Sequence, residues 1–324
     1  MYGIPGYMQK THVLHNDISK LIVDPVPGVM KQLVTKTKDG SLQIQYDVSP
    51  AVLILPPFIH HAFSNFLIYC HSPEAKSEIY KENYACFLKH AWPEARNSPE
   101  FFVCIMHNVK SKFGFEWLSP NTIVIRRPNL GLDFGAHTDA LHSLGLDTPQ
   151  PSQSKFYVFF MNDTVYGPTF PWWIQDRVKW TDIFRAMITT DVKLAGMTIN
   201  PFKEKPHVQS MLLVTDNIGF EIGMRAKVFA HRKDKWDIVM SSEVGFSRAI
   251  LEAGFNIDCA AELLHGYDYR NKKDVPNRFS NVCEVKKYGG FSIHPFETMF
   301  SQTALSNRVL AAKLQTAKEE LTQT

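Results

Sequence analysis

From Phe66 onward the chain places short apolar runs at intervals wide enough to hold a helix: FLIYC (66–70), FFVCIM (101–106), TIVIRR (122–127) and KFYVFFM (155–161). Runs that are apolar on both faces are the pattern of strands buried inside a parallel sheet, whereas a strand with one wet face alternates. Residues 72–92 are long enough for a crossover helix, with Pro73 and Glu74 suited to its start, and 135–146 is a shorter helical candidate. The expectation is a βαβαβ half-sheet within an α/β fold. Open parallel sheets bind ligands beyond the carboxyl ends of their strands. The polar residues after each run therefore matter first: His71-Ser72, His107-Asn108, the loop 128–135, and Asn162-Asp163-Thr164.

Downstream the pattern mixes. Residues 180–189 read as a helix, VKLAGMTI (192–199) as a strand, PHVQSMLLVTDNIGFEI (206–222) as both, and 241–254 as a helix closed by Gly254. Before residue 60, turn formers alternate with β-like runs, LIVDPVPG and, after Lys38-Asp39-Gly40, SLQIQYDV, which predicts an appended strand pair or arm. At the other end Leu305, Val309, Leu310 and Leu314 recur at helical spacing and predict an amphipathic helix that packs on the domain or pairs with a second copy as a homodimer. The expected organisation is an N-terminal extension over 1–60, one catalytic domain over 61–302 and a C-terminal helix over 303–324.

Composition narrows the partners. Thirty-five Lys and Arg against 32 Asp and Glu leave a net charge of +3, too little for a phosphate-backbone footprint, so nucleic acid is excluded as the main partner. The five cysteines (Cys70, Cys86, Cys104, Cys259, Cys283) are odd in number and form no CxxC pair, which fits a reducing, cytoplasmic compartment better than a disulfide framework or a zinc cluster. The start lacks the basic-then-apolar order of a signal peptide. The apolar stretch 51–70 is broken by Pro56, Pro57, His60 and His61, short of the ~20 uninterrupted residues of a spanning helix. No integral membrane segment is expected, a Golgi anchor outside the chain being the alternative.

Five segments carry candidate chemistry. In MNDT (161–164) Asp163 ends the strongest apolar run, where a carboxylate can hold Mg²⁺ or Mn²⁺ against a diphosphate; a plain turn is the commoner alternative. RRPNLGLDFGAHTDAL (126–141) is a strand-to-helix loop in which Gly131 and Gly135 allow close backbone approach and the helix start offers N–H groups to an anion. It is neither GxGxxG nor a P-loop, and a structural turn is the alternative. PHVQSM (206–211) offers His207 and Gln209, and GGFSIHPFETMF (289–300) offers His294. Glu243 sits in SSEVGFSRAILEAGF (241–255), expected in the first turn of a helix, where it either complements the helix dipole or serves as a general base. Trp172 and Trp173 are core residues or a sugar-stacking platform.

Taken in order, NDTVYGPTFP (162–171), DVKLAGMTINP (191–201) and PHVQSMLLVTD (206–216) resemble the run found in rhamnan synthesis F-like proteins, as do RPNLGLDFGAHTDAL upstream and EVGFSRAILEAGFNI (243–257) downstream. The resemblance spans roughly residues 66–300. It implies a GT-A glycosyltransferase: a Rossmann-like, mixed and mostly parallel sheet flanked by helices that uses a nucleotide-sugar donor and a divalent metal, Mn²⁺ or Mg²⁺. On that resemblance Asn162 and Asp163 fall at the Asp-x-Asp metal position, here with a single acid, and His294 completes the metal site. Asn129, Gly131 and Asp133 contact the nucleotide, and Arg126 or Arg127 neutralises phosphate. His207, Gln209, Trp172 and Trp173 line the donor or acceptor pocket, and Glu243 is the base of an inverting transfer to a glycan acceptor. The donor sugar expected is L-rhamnose or another deoxyhexose or pentose. The alternative, motivated by the single acid at 162–164, is a carbohydrate-binding or scaffold protein on the same fold.

Overall fold

The computed structural model describes the backbone of 32–36 and 42–46 and residues 62–302, apart from 76, 111–113, 148–154, 172, 175–176, 202–204, 272–275 and 277–280. Near the N-terminus β1 (Gln32–Lys36) and β2 (Leu42–Tyr46) pair antiparallel, with Val34 opposite Ile44. The SLQIQYDV run thus finds its partner in QLVTK. The rest of the expected N-terminal extension, and the C-terminal helix with the homodimer assigned to it, lie outside the described residues.

The four apolar runs become β3 (Asn65–His71), β4 (Phe101–Val109), β6 (Thr122–Pro128) and β7 (Tyr157–Asn162), all mutually parallel, with β5 (Gly114–Ser119) returning antiparallel along β6. Between β3 and β4 run α1 (Glu78–Cys86), a π-helical turn (Phe87–Ala91) and α2 (Trp92–Asn97). This helix starts later than Pro73 and Glu74 suggest; Glu74 instead accepts the Lys110 N–H at 2.9 Å. Helix α3 (Leu132–Ser143) joins β6 to β7. Then follow β8 (Val165–Tyr166), α4 (Trp180–Ala186), β9 (Val192–Gly196), β10 (Ile199–Asn200), β11 (His207–Val208), β12 (Leu212–Asp216), α5 (Asn217–Arg225), α6 (Val244–Glu252), β13 (Asn256–Cys259), α7 (Pro295–Thr298) and β14 (Ser301–Gln302). The predicted strand 192–199 is two: β9 stays in the sheet and β10 leaves it to pair with β11.

The eight-stranded sheet has the order β13-β9-β12-β7-β3-β4-β6-β5, and only β12 and β5 run against the rest. It is a mixed, mostly parallel sheet flanked by helices, as the family resemblance implies, and β3, β4, β6 and β7 within it are the parallel strands that the apolar runs predict. Successive strand residues point to opposite faces, and Phe159 and Phe160 of β7 show what covers each. Phe159 meets Trp180 of α4 at 5.8 Å, on the face where Tyr69 stacks on Phe87 at 3.7 Å. Phe160 meets Phe229 at 5.0 Å and His137 of α3 at 4.9 Å, with Phe246 of α6 behind Phe229. Each such ring, withdrawn from water, contributes about 1.5–3 kcal/mol.

Candidate active site

The strand order locates a crevice. From β3 the chain steps to β4 and β6 on one side, then crosses to β7 on the other side of β3, so the connections diverge between the carboxyl ends of β3 and β7. Ligands of open α/β sheets sit at such a switch point. Here it is flanked by His71 and by Asn162-Asp163.

Asp163 is buried and held from several sides. Its Oδ2 accepts from His71 Nδ1 and from the Ser72 N–H, both at 2.8 Å; its carbonyl accepts from Asn83 Nδ2 at 2.8 Å and its N–H donates to Cys70 O at 3.0 Å. His71 stacks on Tyr84 with ring centroids 4.0 Å apart, and Tyr84 shares a 3.0 Å hydrogen bond with His107 Nε2. Burial, with the charges of His71 and Arg126 adding, lowers the His107 pKa to about 4, so the ring is neutral at neutral pH. Burial likewise pushes Tyr84 up to about 12.

Asn162 bridges to the second carboxylate. Its Nδ2 donates to Asp133 Oδ2 at 2.5 Å, while its Oδ1 accepts from the Thr164 N–H at 3.1 Å and hydroxyl at 2.5 Å. Burial first, then the charge of Asp163 and, more weakly, that of Glu243 raise the Asp133 pKa to about 6. These couplings bring Asp133, Asp163 and Glu243 into one electrostatic neighbourhood. Glu243 is not in the first turn of its helix. The helical run starts at Lys235 and passes through a π turn (Ile238–Glu243), so Glu243 stands at the junction with α6 and does not complement a helix start. Its Oε1 accepts the Ser210 N–H at 2.9 Å.

In the loop 128–135 the two glycines are also required by the packing of the chain. Gly131 has φ +76°, which favours glycine. A side-chain carbon at Gly135 would lie 2.0 Å from Leu130 O. At both glycines the chain closely approaches its own backbone. Arg127 is 1% exposed and spends its guanidinium on Asp139 Oδ2 (2.5 Å), Asn108 Oδ1 (2.6 Å) and Leu130 O (2.6 Å). It ties the loop to β4 and α3 and has no face to offer a phosphate. Arg126 lies exposed beside Glu116, 3.3 Å away, and Asn129 is exposed.

Gln209 is buried, accepting from Thr198 Oγ1 (2.8 Å) and Cys283 Sγ (3.2 Å) and donating to Asn281 (3.3 Å). His207 pairs with Lys205 O at 3.0 Å. Because β12 runs backward, the turn before it lies at the carboxyl end of β7, where Met211 O accepts the Asn162 N–H at 3.2 Å. Trp173 is 55% exposed, and Trp172 lies outside the described residues. His294 caps the short α7, accepting from the Phe296 N–H at 3.2 Å. Among the described residues no three or more His, Cys, Asp or Glu are grouped to hold a metal ion. With Asp163 Oδ2 occupied twice from within, the donor set does not fit a metal cage built on Asp163 and His294. Sequence inspection underrates His71, Tyr84 and His107, which lie far apart along the chain; only the position of each histidine directly after an apolar run marks them.

No curated protein matches the chain. Residues 118–277, just under half of the 324 and holding Asp133, Asn162, Asp163 and Glu243, match the family model described as rhamnan synthesis protein F, so the resemblance holds for the central stretch with the acidic side of the crevice, while 66–117, with His71, Tyr84 and His107, and 278–300 fall outside the match.

Proposed function

We propose that the chain is an inverting glycosyltransferase that moves a sugar, L-rhamnose or another deoxyhexose or pentose, from a nucleoside diphosphate to a glycan hydroxyl. The observation that supports this most is the hydrogen bond from Asn162 to Asp133 beside Asp163 at the switch point, with Glu243 held by Ser210, next to the Met211 carbonyl that accepts the Asn162 N–H, all inside the stretch similar to the rhamnan synthesis family. In this reading the acceptor oxygen attacks the anomeric carbon as its bond to the diphosphate oxygen breaks. The bonding electrons leave with the nucleoside diphosphate, and the acceptor proton passes to Glu243. The Ser210 N–H fixes one oxygen of that carboxylate and so orients the other. Asp163, immobilised by His71 and Ser72, anchors the donor side, and the Asn162 amide is aimed by Thr164.

The start of α3, whose N-cap Gly131 offers no side chain to its N–H groups, and the exposed Arg126 are the positive features for the diphosphate. A divalent metal, when bound, supplies charge neutralisation of the leaving diphosphate; the donor set described does not fit one held by the protein, and no step here runs through it. The test is thermal shift against a panel of nucleotide sugars with and without Mn²⁺, followed by assay of nucleoside diphosphate release with glycan acceptors. A donor at ~100 times its dissociation constant adds about 2.7 kcal/mol to stability. A binding or scaffold protein on this fold would retain sugar affinity and release no nucleoside diphosphate. Absence of both binding and release across the panel would end the reading.

A further inference from the structure

Beside the α3 start assigned to the diphosphate, the rim of the crevice carries apolar and basic side chains for which the proposed transfer has no role. Leu130 is 64% exposed and Leu132 40%, on either side of Gly131. A side-chain carbon at Gly131 would stand 3.2 Å from Arg232 O, so this loop lies directly against the segment 225–237. That segment leads to the helical turn Lys235–Asp237, on which Trp236 is 68% exposed. Its charge is one-sided: five Arg and Lys against two Asp, a surplus equal to the +3 of the whole chain. Arg225 is paired with Glu221, and Arg232 points inward, donating to Val228 O, Ala230 O, Lys227 O and Ser242 Oγ. Lys227, Lys233 and Lys235 are exposed, whereas both acids serve local bonds, Asp234 accepting the Asp237 N–H and Asp237 the Ser241 hydroxyl.

We propose that the rim formed by loop 129–132 and segment 225–237 docks on an anionic lipid bilayer. The charge favours an anionic partner. The exposed Trp236, Leu130 and Leu132 favour an interface over a soluble polyanion, because indole and leucine side chains gain by entering the headgroup boundary while lysines reach back to the phosphates. No helix among the described residues is long and apolar enough to cross a membrane, so the contact is peripheral. It presents the crevice to acceptors held at the bilayer surface; the docking itself does not depend on the proposed transferase activity.

The experiment is co-sedimentation of the full chain with vesicles of phosphatidylcholine alone and of equimolar phosphatidylcholine and phosphatidylglycerol. The parent should bind the mixed vesicles, release them as salt rises, and ignore the neutral ones. Lys233→Glu with Lys235→Glu should weaken partitioning by at least about fivefold per lysine lost, and Leu130→Ser with Trp236→Ser should also weaken it. All four positions are exposed, so circular dichroism and Tm should match the parent. Absence of binding to the mixed vesicles, or equal binding by both variants, overturns the proposal. If only the charge variant loses affinity, the leucine and tryptophan side chains do not enter the bilayer and the surface is a general anion site, and if the variants instead turn a dimer into a monomer by light scattering the patch pairs two copies; either result overturns it as well.

Discussion

The carboxyl of Asp133 titrates near pH 6 because the surrounding protein keeps water from it and the charges of Asp163 and Glu243 oppose its ionisation. A folded-state pKa above the unfolded value of 3.8 means the native state binds the proton more tightly, so stability falls as pH rises from about 4 to about 6 and is flat above. The penalty at pH 7 is at most about 3 kcal/mol. Asp133→Asn keeps an acceptor for Asn162, so it should raise Tm at pH 7 and abolish the slope between pH 4 and 6 in denaturant titrations. An anion entering beside this group should bind more tightly as pH falls through about 6. Calorimetry with nucleoside diphosphate tests this, and a bound metal would give the opposite slope. The roles of the other two carboxylates separate by readout. Asp163→Asn should impair donor affinity, whereas Glu243→Gln should leave donor affinity nearly intact and slow turnover by roughly 100- to 10,000-fold. Parental turnover in Glu243→Gln would move the base to Asp133. At this scale the sequence shows the acids but not their company: nothing local to His71, Tyr84 or His107 reveals that they stack into the wall holding Asp163.

Among the elements, those with a single dominant cause are legible. β3, β4, β6 and β7 are apolar on both faces because they are covered on both faces. β5 is not, since GFEWLS lies at the sheet edge with its residues mostly half-buried, and a run without a strong apolar stripe resembles a loop. The π turn at Ile238–Glu243 is equally silent: apolar periodicity places a helix near 241–254 but says nothing of the extra residue per turn that sets Glu243 at a junction. The glycines of loop 128–135 are visible in the sequence while their purpose is not. Gly135→Ala should force Leu130 and the loop to move, lowering stability by about 1–3 kcal/mol in thermal unfolding. Arg127→Met should cost about 3–5 kcal/mol by leaving Asn108, Leu130 O and much of the Asp139 charge without their partner, and Arg127→Lys, with one donor centre in place of a fork, should not restore it.

Over the whole molecule the two ends of the sheet do different work. Lys193 and Asp216 form a buried ion pair 2.7 Å apart, and Asp216 also caps α5 through the Gly219 N–H at 3.0 Å. Asp216 pairs across the sheet with Tyr157, the first residue of β7, whereas the crevice lies at the last. Asp216 therefore stands too far from the crevice to act as a base, and so does Asp191, which precedes β9 at that same far end and bonds Arg270 at 2.6 Å. Asp216→Asn should lower stability by about 3–5 kcal/mol and leave donor affinity of the folded fraction unchanged.

The reversed strand β12 has a consequence for how the chain is made. Until residues 212–216 have been synthesised, β7 is the open edge of a half-built parallel sheet, and its YVFFMN presents unpaired backbone groups beside aromatic side chains. Such an edge templates pairing with other chains. Fragments ending before Leu212 should therefore aggregate where fragments carrying β12 stay dispersed, and a stalled or slow-folding chain faces its greatest hazard during the interval between emergence of the seventh and twelfth strands.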